Sequence, residues 1–437
     1  MGGDCYSGAM KNFVQSLSLF LLMSSASLYG ESWSQFRGNE GSAAIDGSSI
    51  PLKWSAGQNV KWKTDLPGPG SSSPIFWEEK LFVTCYTGYG LDQKNVGEQK
   101  NLGRTLLCLD RRSGKILWKQ SVPLVNPEDD YRGYLTEHGY ASATPVTDGK
   151  NVFAFFGKSG VHAFTVDGKK LWSKQVGDSS SNRKWGSAAS PILFGGMLIV
   201  NAADEARAIF AFDKATGEEK WRYEMGQLEL TYNTPTVHTP KSGKTELVIA
   251  APDELFALDP KTGKKIWWAR SEIPGNISPS VISEGEVLFT TGGYPRKGSL
   301  AIKGGGSGDV TNKILWRSKT FSYVPSSVHK DGLLYWVNDE ASVIVMDLEK
   351  GGTVTKRSVE AIKKRRKFSF YASTVRVGDK LIAVSRRDGT FIFEADKEMK
   401  LVGINSLGDD SDFNATPALA KDAIYLRSNK AVYCIAK

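Results

Sequence analysis

CLDRRSGKILW at residues 108–118 recurs as AFDKATGEEKW at 211–221 and as ALDPKTGKKIW at 257–267, and AFTVDGKKLW at 163–172 is a shortened copy. The tryptophans that end these copies, together with Trp316, follow one another at intervals of 46 to 54 residues. Self-similarity at a period of roughly 40–50 residues is typical of β-propeller blades. The repeat therefore predicts one ring of stacked sheets rather than several unrelated domains.

A second signature precedes each copy: a small polar residue, often with proline, then β-branched residues, a turn and an apolar run. It occurs eight times, at residues 72–84, 143–155, 189–201, 233–250, 278–291, 325–337, 372–384 and 415–427. Apolar residues at period two make half-buried strands, and Asp with Thr-Gly makes a tight hairpin. Because each copy supplies four strands, we predict an all-β fold, an eight-bladed β-propeller of four-stranded antiparallel blades.

The two ends of the repeat region complement each other. The eighth copy ends after AVYCIA at residues 431–436 without a fourth strand, and an orphan strand with a tryptophan stands at residues 59–66. We expect the N-terminal strand to complete the C-terminal blade, which closes the ring without an open seam. Burial of a tryptophan between blades contributes on the order of 2–3 kcal/mol. The predicted blade-docking tryptophans are Trp62, Trp118, Trp172, Trp221, Trp267 and Trp316.

The first thirty residues have the pattern of a secretory signal peptide. Lys11 precedes an apolar stretch at residues 13–23, small residues follow at 24–26, and Met10 is an alternative start. The predicted organisation is a signal peptide at 1–30 and a single propeller domain at 31–437. The apolar stretch is short and interrupted by serine, so we expect no transmembrane segment in the mature chain. The protein is expected to be an exported monomer of the periplasm or cell surface of a bacterium.

The chain carries a formal net charge of +9 at pH 7, which suits an anionic partner. An envelope protein or a glycan fits this expectation, whereas export argues against nucleic acid, and we predict no nucleic-acid partner. The basic run at residues 363–367 is interpreted as a solvated connection, with docking of an anionic partner as the alternative.

Cysteines and paired acids suggest structural rather than catalytic roles. Cys85, Cys108 and Cys434 lie in strand-like runs, which indicates buried packing, and a Cys85–Cys108 bridge is the alternative. Asp204 with Glu205, and the acids at residues 409–412, offer oxygens to Ca²⁺ but lack EF-hand spacing, so we interpret them as surface turns and predict no metal site. The sequence contains no H-E-x-x-H, G-x-S-x-G or kinase signature.

Propeller geometry places the residues just before each innermost strand around the mouth of the central channel, and the loops between second and third strands, such as residues 86–104, on the same face. An aromatic and amide collar there suits stacking on a sugar or quinone ring, or gripping an extended peptide. Packing of the channel is the alternative for any one of them, and His138 is interpreted as a hydrogen-bonded scaffold residue rather than a base. The candidate ligand-binding residues are His138, Tyr140, Trp185, Tyr232, Asn233, Asn276, Tyr323, Tyr371, Arg386 and Asn414.

The A-x-D-x-x-T-G-x-x-x-W pattern resembles the tryptophan-docking motif of the pyrroloquinoline-quinone (PQQ) repeat family. That family includes eight-bladed quinoprotein dehydrogenases and a non-enzymatic outer-membrane assembly lipoprotein. WSQFRGNEG at residues 33–41 is similar to a group of exported bacterial propellers in the family, and the resemblance covers residues 33–437. It implies architecture far more strongly than activity.

The same resemblance implies what a dehydrogenase of this fold would need: PQQ with Ca²⁺ and an aspartate base, and in many members a disulfide between adjacent cysteines. This sequence has no adjacent cysteines, so we assign no catalytic residue. The leading interpretation is a non-catalytic exported binding or scaffold propeller, without a cofactor, whose ligand or partner site is at the channel mouth. One alternative is a PQQ-dependent oxidoreductase of the alcohol or sugar dehydrogenase kind. The other is a polysaccharide-binding or carbohydrate-active protein.

Overall fold

Because apolar residues alternate along the sequence between turns that contain Gly or Asp, the chain folds mostly into short antiparallel strands. A computed structural model describes residues 1–3, 31–241, 243–362 and 368–437. The predicted signal peptide, apart from its first three residues, and the basic run at residues 363–367 lie outside the described residues. Residues 31–437 form one compact unit.

Eight antiparallel sheets, one per sequence repeat, make up the unit at residues 31–437. They are numbered here as blades 1 to 8 in chain order, with strands given from the channel outwards. Blades 1 to 4 contain Ile75–Trp77, Lys80–Thr87, Gly103–Asp110 and Ile116–Pro123; Val146–Thr147, Asn151–Phe155, Val161–Thr165 and Lys170–Lys174; Ile192–Phe194, Met197–Ala202, Ala208–Asp213 and Glu219–Glu224; Thr236–His238, Glu246–Ala251, Glu254–Leu258 and Lys265–Arg270. Blades 5 to 8 contain Ile282–Glu284, Val287–Gly292, Gly298–Lys303 and Ile314–Ser318; Val328–Lys330, Leu333–Val337, Ser342–Asp347 and Thr353–Ser358; Val375–Val377, Lys380–Val384, Thr390–Glu394 and Leu401–Asn405; Ala418–Leu419, Ala423–Arg427, Ala431–Ala436 and Val60–Asp65.

Three sheets gain a fifth, two-residue strand, which the prediction of four-stranded blades did not include. Ser32–Trp33 pairs with the inner strand of blade 1, Ala44–Ile45 with that of blade 7, and Gly308–Asp309 with the outer strand of blade 4. Helices in the described part of the chain are limited to single turns. They are Leu135–His138 and Ala203–Ala206 in the α conformation, and Asn39–Gly41, Gln99–Asn101, Gly157–Ser159, Gly226–Leu228 and Thr311–Lys313 in the 3₁₀ conformation.

The ring is closed by its own N-terminal strand, as predicted. Val60–Asp65 runs antiparallel to Ala431–Ala436, with Trp62 opposite Cys434 and Asp65 opposite Ala431. Two further backbone bonds extend the pairing, from the Leu66 N–H to the Lys430 oxygen at 2.8 Å and from the Ala436 N–H to the Asn59 oxygen at 3.0 Å. The last blade therefore has four strands, and no seam is left open.

Tryptophans of the outer strands lie between consecutive blades. Each of five indole N–H groups donates to a turn carbonyl of the next blade at 2.9–3.1 Å. A turn glycine lies against each ring, at φ between 70° and 91°, and a Cβ there would come within 2.4–2.8 Å of ring atoms. The pairs are Trp62 with Gly114, Trp118 with Gly168, Trp172 with Gly217, Trp221 with Gly263, and Trp316 with Gly351. Aspartate and Thr-Gly turns thus recur because each turn must accept the preceding blade's ring.

Other residues take this position where the pattern changes. Trp267 is fully buried, and the blade that follows it has the glycine-rich stretch at residues 303–309 in place of a Thr-Gly turn. In blade 6, Thr355 takes the register position of the tryptophan and its hydroxyl donates to the Lys397 carbonyl at 2.7 Å.

The three cysteines among the described residues, Cys85, Cys108 and Cys434, are free and buried. Cys85 lies opposite Thr105, and Cys108 lies opposite Phe82 on the neighbouring strand. An offset of three residues from the partner of Cys85 puts Cys108 on the other face of the sheet, because side chains alternate between faces. The alternative of a Cys85–Cys108 bridge is therefore wrong, and buried packing is the outcome.

Candidate functional site

A ring of hydroxyl groups surrounds the channel at one fixed repeat position, two residues before each inner strand. In most blades, the hydroxyl at this position accepts a hydrogen bond from the backbone N–H of the equivalent residue in the preceding blade. Six such bonds of 2.9–3.2 Å link Ser73 to Thr144, Thr144 to Ser190, Ser190 to Thr234, Ser280 to Ser326, Ser326 to Ser373, and Ser373 to Thr416. This hydroxyl belt explains the small polar residue in six of the eight repeats, because a hydroxyl there joins two blades.

Two links of the belt are missing, and they leave matching groups without partners. The hydroxyls of Ser73 and Ser280 are buried and make no hydrogen bond within the described chain. Both face the chain positions that would have closed the ring, Thr416 and Thr234 respectively. The belt is therefore two arcs, each held by direct blade-to-blade bonds.

The collar of aromatic and amide residues lies above the belt. Part of it comes from a second repeat position, which lies four residues before each inner strand. Tyr232, Tyr371 and Asn414 occupy that position, and all three line the cavity at the mouth. The connections between blades bring four more predicted residues to the same lining. These are His138, Trp185, Asn276 and Tyr323.

Three predicted residues lie outside this lining. Asn233 is fully buried and its side-chain amide donates to the Ala250 carbonyl at 2.5 Å, because an odd offset from the inner strand turns it into the blade. Tyr140 packs against Tyr86 and Tyr89, and its hydroxyl donates to the Asp129 carbonyl at 2.8 Å. Arg386 is the third.

Arg386 holds other residues of the mouth in place instead of lining the cavity. Its guanidinium pairs with Glu137 at 2.7 Å and Asp412 at 2.6 Å, and it donates to the Asn414 amide oxygen at 2.9 Å. The same group lies over the ring of Tyr371, 4.6 Å from its centroid. It therefore connects blades 7 and 8 to the chain segment that carries Glu137.

That segment, residues 131–139, crosses the mouth and is called the cap. Its Tyr134, which sequence reasoning missed, stands among rings from three other blades. The ring centroids lie 4.8 Å from Trp185, 6.0 Å from Tyr323 and 6.1 Å from Tyr371, and the hydroxyls of Tyr134 and Tyr371 are 2.7 Å apart. The protein's own tyrosine therefore packs among the collar rings that line the cavity.

His138 fastens the other end of the cap. Its Nε2 lies 2.9 Å from the Trp185 carbonyl, which only accepts, so Nε2 carries the proton and Nδ1 accepts from the Ser142 hydroxyl at 2.6 Å. Burial lowers the pKa of His138 to about 4, so the imidazole is neutral at physiological pH. Ser71 adds a bond from its hydroxyl to the His138 carbonyl at 3.0 Å. With both nitrogens engaged, His138 offers neither a free base nor a metal ligand.

Below the cap lies a small chamber of about 140 Å³. Phe36, from the segment that enters the channel from the opposite face, forms its floor and also lines the larger cavity on that face. Serine and threonine residues of the belt line part of the wall, and no Asp, Glu, Lys or Arg among the described residues lines it. The chamber is therefore small and, among the described residues, without a charged side chain in its wall.

Charged groups at this face are buried beside the chamber, under blades 1 to 3. Arg104 pairs with Glu128 at 2.5 Å, and Lys158 lies 3.5 Å from Asp129. The interpretation of Asp204 with Glu205 as a surface turn is wrong: both lie in the Ala203–Ala206 helical turn and are at most 4% exposed. Burial raises the pKa of Asp204 to about 7 and that of Glu205 well above its usual value. No group of acids, cysteines and histidines in the described residues has the arrangement of a metal site.

Exposed basic and aromatic side chains lie at the rim of the capped face. Arg183 lies over Trp185 at 5.7 Å and is exposed, as are its neighbour Lys184 and Arg296. Tyr294, 38% exposed, packs against Tyr323 with ring centroids 5.7 Å apart. Cations that lie beside aromatic rings and stay accessible are suited to contacts with acidic groups.

Comparison with known proteins agrees with this architecture. A family model described as outer membrane protein assembly factor BamB matches residues 103–357, more than half of the chain. No curated protein sequence matches it. In the described residues, no helix is both long and apolar enough to span a membrane.

Solved structures share the fold at low sequence identity. BamB from Moraxella catarrhalis is 12% identical with a TM-score of 0.60, over 86% of this chain and 96% of that one. Quinohemoprotein alcohol dehydrogenase from Comamonas testosteroni is 12% identical with a TM-score of 0.57, over 93% of this chain and 80% of that one. The computationally designed protein Ika8 is 12% identical with a TM-score of 0.57, over 85% and 98%. An assembly factor, an enzyme and a designed protein thus share one architecture, and function must be argued from the site.

Proposed function

The chain belongs to the β-propeller family described as outer membrane protein assembly factor BamB, and on that basis we propose that it is a non-catalytic scaffold that docks an acidic protein surface on its capped face. The observation that carries this proposal is the cap. Tyr134 lies against the rings of Trp185 and Tyr371, so the protein's own chain takes up space at the mouth and leaves only a small cavity. A mouth of this kind suits a protein partner better than a small substrate.

Charge complementarity supports an acidic partner. Arg183, Lys184 and Arg296 are exposed around the cap, and the whole chain carries a net charge of +9. Such a rim accelerates encounter with an acidic surface and makes binding sensitive to salt. The exposed ring of Tyr294 adds the kind of aromatic anchor that is enriched at protein interfaces.

The residues present do not fit PQQ. This planar quinone carries three carboxylates, whereas the described chamber wall has no cationic side chain to pair with them. The chamber, at about 140 Å³, is also smaller than the roughly 300–1,000 Å³ of typical ligand pockets. We therefore derive no redox step here, and uptake of PQQ with Ca²⁺ is the result that would favour the oxidoreductase alternative.

The glycan alternative lacks a comparable observation. Sugar binding needs a free aromatic face, and Trp185 and Tyr371 direct theirs toward Tyr134. Export to the periplasm or cell surface accompanies this proposal, because an outer-membrane assembly role requires it.

Site-specific photo-crosslinking tests the proposal. A benzoylphenylalanine at Arg183 on the capped face is compared with one at Lys261, an equally exposed position in a turn on the opposite face. We expect a discrete protein adduct at position 183 alone in cells that express the full chain, and its loss in the Lys184→Glu, Arg296→Glu variant. Equal labelling at both positions, or an adduct that survives charge reversal, would overturn the proposal.

A further inference from the structure

The second face of the ring has a much larger cavity than the capped face, with a volume of about 1140 Å³. Its walls are the N-terminal segment at residues 35–46 and the inner strands of blades 3 to 6. The described charges in the wall are mixed, with Arg37, Lys330 and Arg376 set against Glu40, Asp46, Glu284 and Asp331. Several of these pair with one another, as Arg376 does with Asp46 at 2.6 Å, so the cavity has no strong preference for one sign of charge.

The N-terminal segment shows how this channel binds an extended chain. Ser32–Trp33 adds an antiparallel strand to the inner edge of blade 1, and Ala44–Ile45 adds a parallel strand to that of blade 7. Backbone bonds make these contacts: the Arg376 N–H donates to the Ala43 oxygen at 2.9 Å, and the Thr147 N–H of blade 2 donates to the Ser34 oxygen at 2.9 Å. Inner edges in this channel therefore accept strands in either direction.

The inner strands of blades 3 to 6 have equivalent backbone N–H groups at their channel-facing edges. Among the described residues, no further strand pairs with these edges. Arg376 is the middle residue of its inner strand, and its equivalents by register are Leu193, Val237, Ser283 and His329. In a two-residue hairpin such as that of blade 5, the two residues that flank the turn, Glu284 and Val287, form backbone hydrogen bonds with each other. Ser283, the residue before this pair, therefore directs its N–H and C=O away from the hairpin. These groups face the cavity.

We propose that the inner strand of blade 5 accepts an extended segment of a partner polypeptide by β-strand addition within the channel. Blade 5 lines the cavity with residues 280–284, its whole inner strand, whereas the turn at Asn39–Gly41 lies against the inner strand of blade 4. Three paired residues span about 10 Å, and main-chain bonds supply the affinity in this mode of recognition. The bound segment is uncharged or charge-balanced and is selected by backbone rather than by side chains.

This site is independent of the capped face, and its test uses a defined probe. A fluorescein-labelled hexapeptide of alternating threonine and valine is titrated into the full chain and followed by anisotropy. The matched probe is the same peptide with every backbone N–H methylated. We expect saturable binding of the unmethylated peptide alone. Equal binding of both peptides, or no binding of either at millimolar concentration, would overturn the proposal.

A substitution locates the site. Ser283→Pro removes the outward N–H, which the ladder of blade 5 does not use, and proline is tolerated where an edge N–H faces solvent. We expect Ser283→Pro to lower the affinity for the peptide at least tenfold and Ser283→Thr to leave it unchanged. Equal affinity of the two variants would refute the assignment. Should the proline variant fail to fold, amide exchange of the wild type decides: the peptide must slow exchange at Ser283, and unchanged exchange there overturns the proposal.

Discussion

Acidification should weaken the protein in part through His138, whose imidazole fastens the cap. Its pKa is about 4 in the folded chain, against an ordinary value of 6.5, because burial disfavours the imidazolium form. A lowered histidine pKa means that the unfolded chain binds more protons than the folded chain between these values. The contribution is therefore intact above about pH 6.5, is lost as pH falls, and is fully lost near pH 4.

The magnitude follows from the same two values. Linkage between a pKa of 6.5 and one of about 4 gives a loss of about 1 kcal/mol from pH 7 to pH 5.5 and roughly 2 kcal/mol by pH 4.5. His162, whose pKa is also lowered to about 4 by burial, adds a change of the same sign. Burial also lowers the pKa values of His238 and His329, so the effect of His138 must be separated from that of the other three histidines.

His138→Gln makes this separation. Glutamine can donate to the Trp185 carbonyl and accept from the Ser142 hydroxyl but does not titrate. Urea unfolding of both proteins at pH 7, 5.5 and 4.5 gives two stability curves, and the wild type should lose roughly 2 kcal/mol more than the variant over this range. Parallel curves would refute the argument that a buried neutral His138 holds the cap.

Two further changes test the ring and the cap. Trp62→Ala removes the ring between the closing strand and Gly114, and should lower the free energy of unfolding by about 3–5 kcal/mol in urea titrations, whereas a loss under about 1 kcal/mol would contradict closure by this strand. Arg386→Ala breaks the ion pair with Glu137 and should speed amide exchange in Leu135–His138 without lowering the stability of the ring as much as Trp62→Ala; unchanged exchange there would mean that the pair does not hold the cap.

The ring could be predicted because its determinants are local and repeated. Alternating strands, the turn that accepts a tryptophan, and the unpaired strand at residues 59–66 each recur or complement one another in the sequence. Whether a residue lies an odd or an even number of positions before the inner strand also predicts which way its side chain faces. Tyr232 and Asn233 are adjacent, yet only Tyr232 faces the channel, because side chains next to a strand alternate between its two sides.

The cap could not be predicted from the repeat, because it has no counterpart in other blades. Tyr134 lies in residues 124–145, the longest connection between consecutive blades, and that length was the available signal. The buried charges were missed for a related reason. Asp204 is paired with Ser181 from an earlier connection, and only the folded ring brings these residues together.

The central claim is that the chain's own cap covers part of the mouth of this propeller, and that the mouth serves as a docking surface rather than a cofactor site. Calorimetric titration of residues 31–437 with PQQ in the presence of Ca²⁺ tests it most directly. The account predicts no saturable heat of binding at micromolar concentrations, and saturation at one PQQ per chain would contradict it.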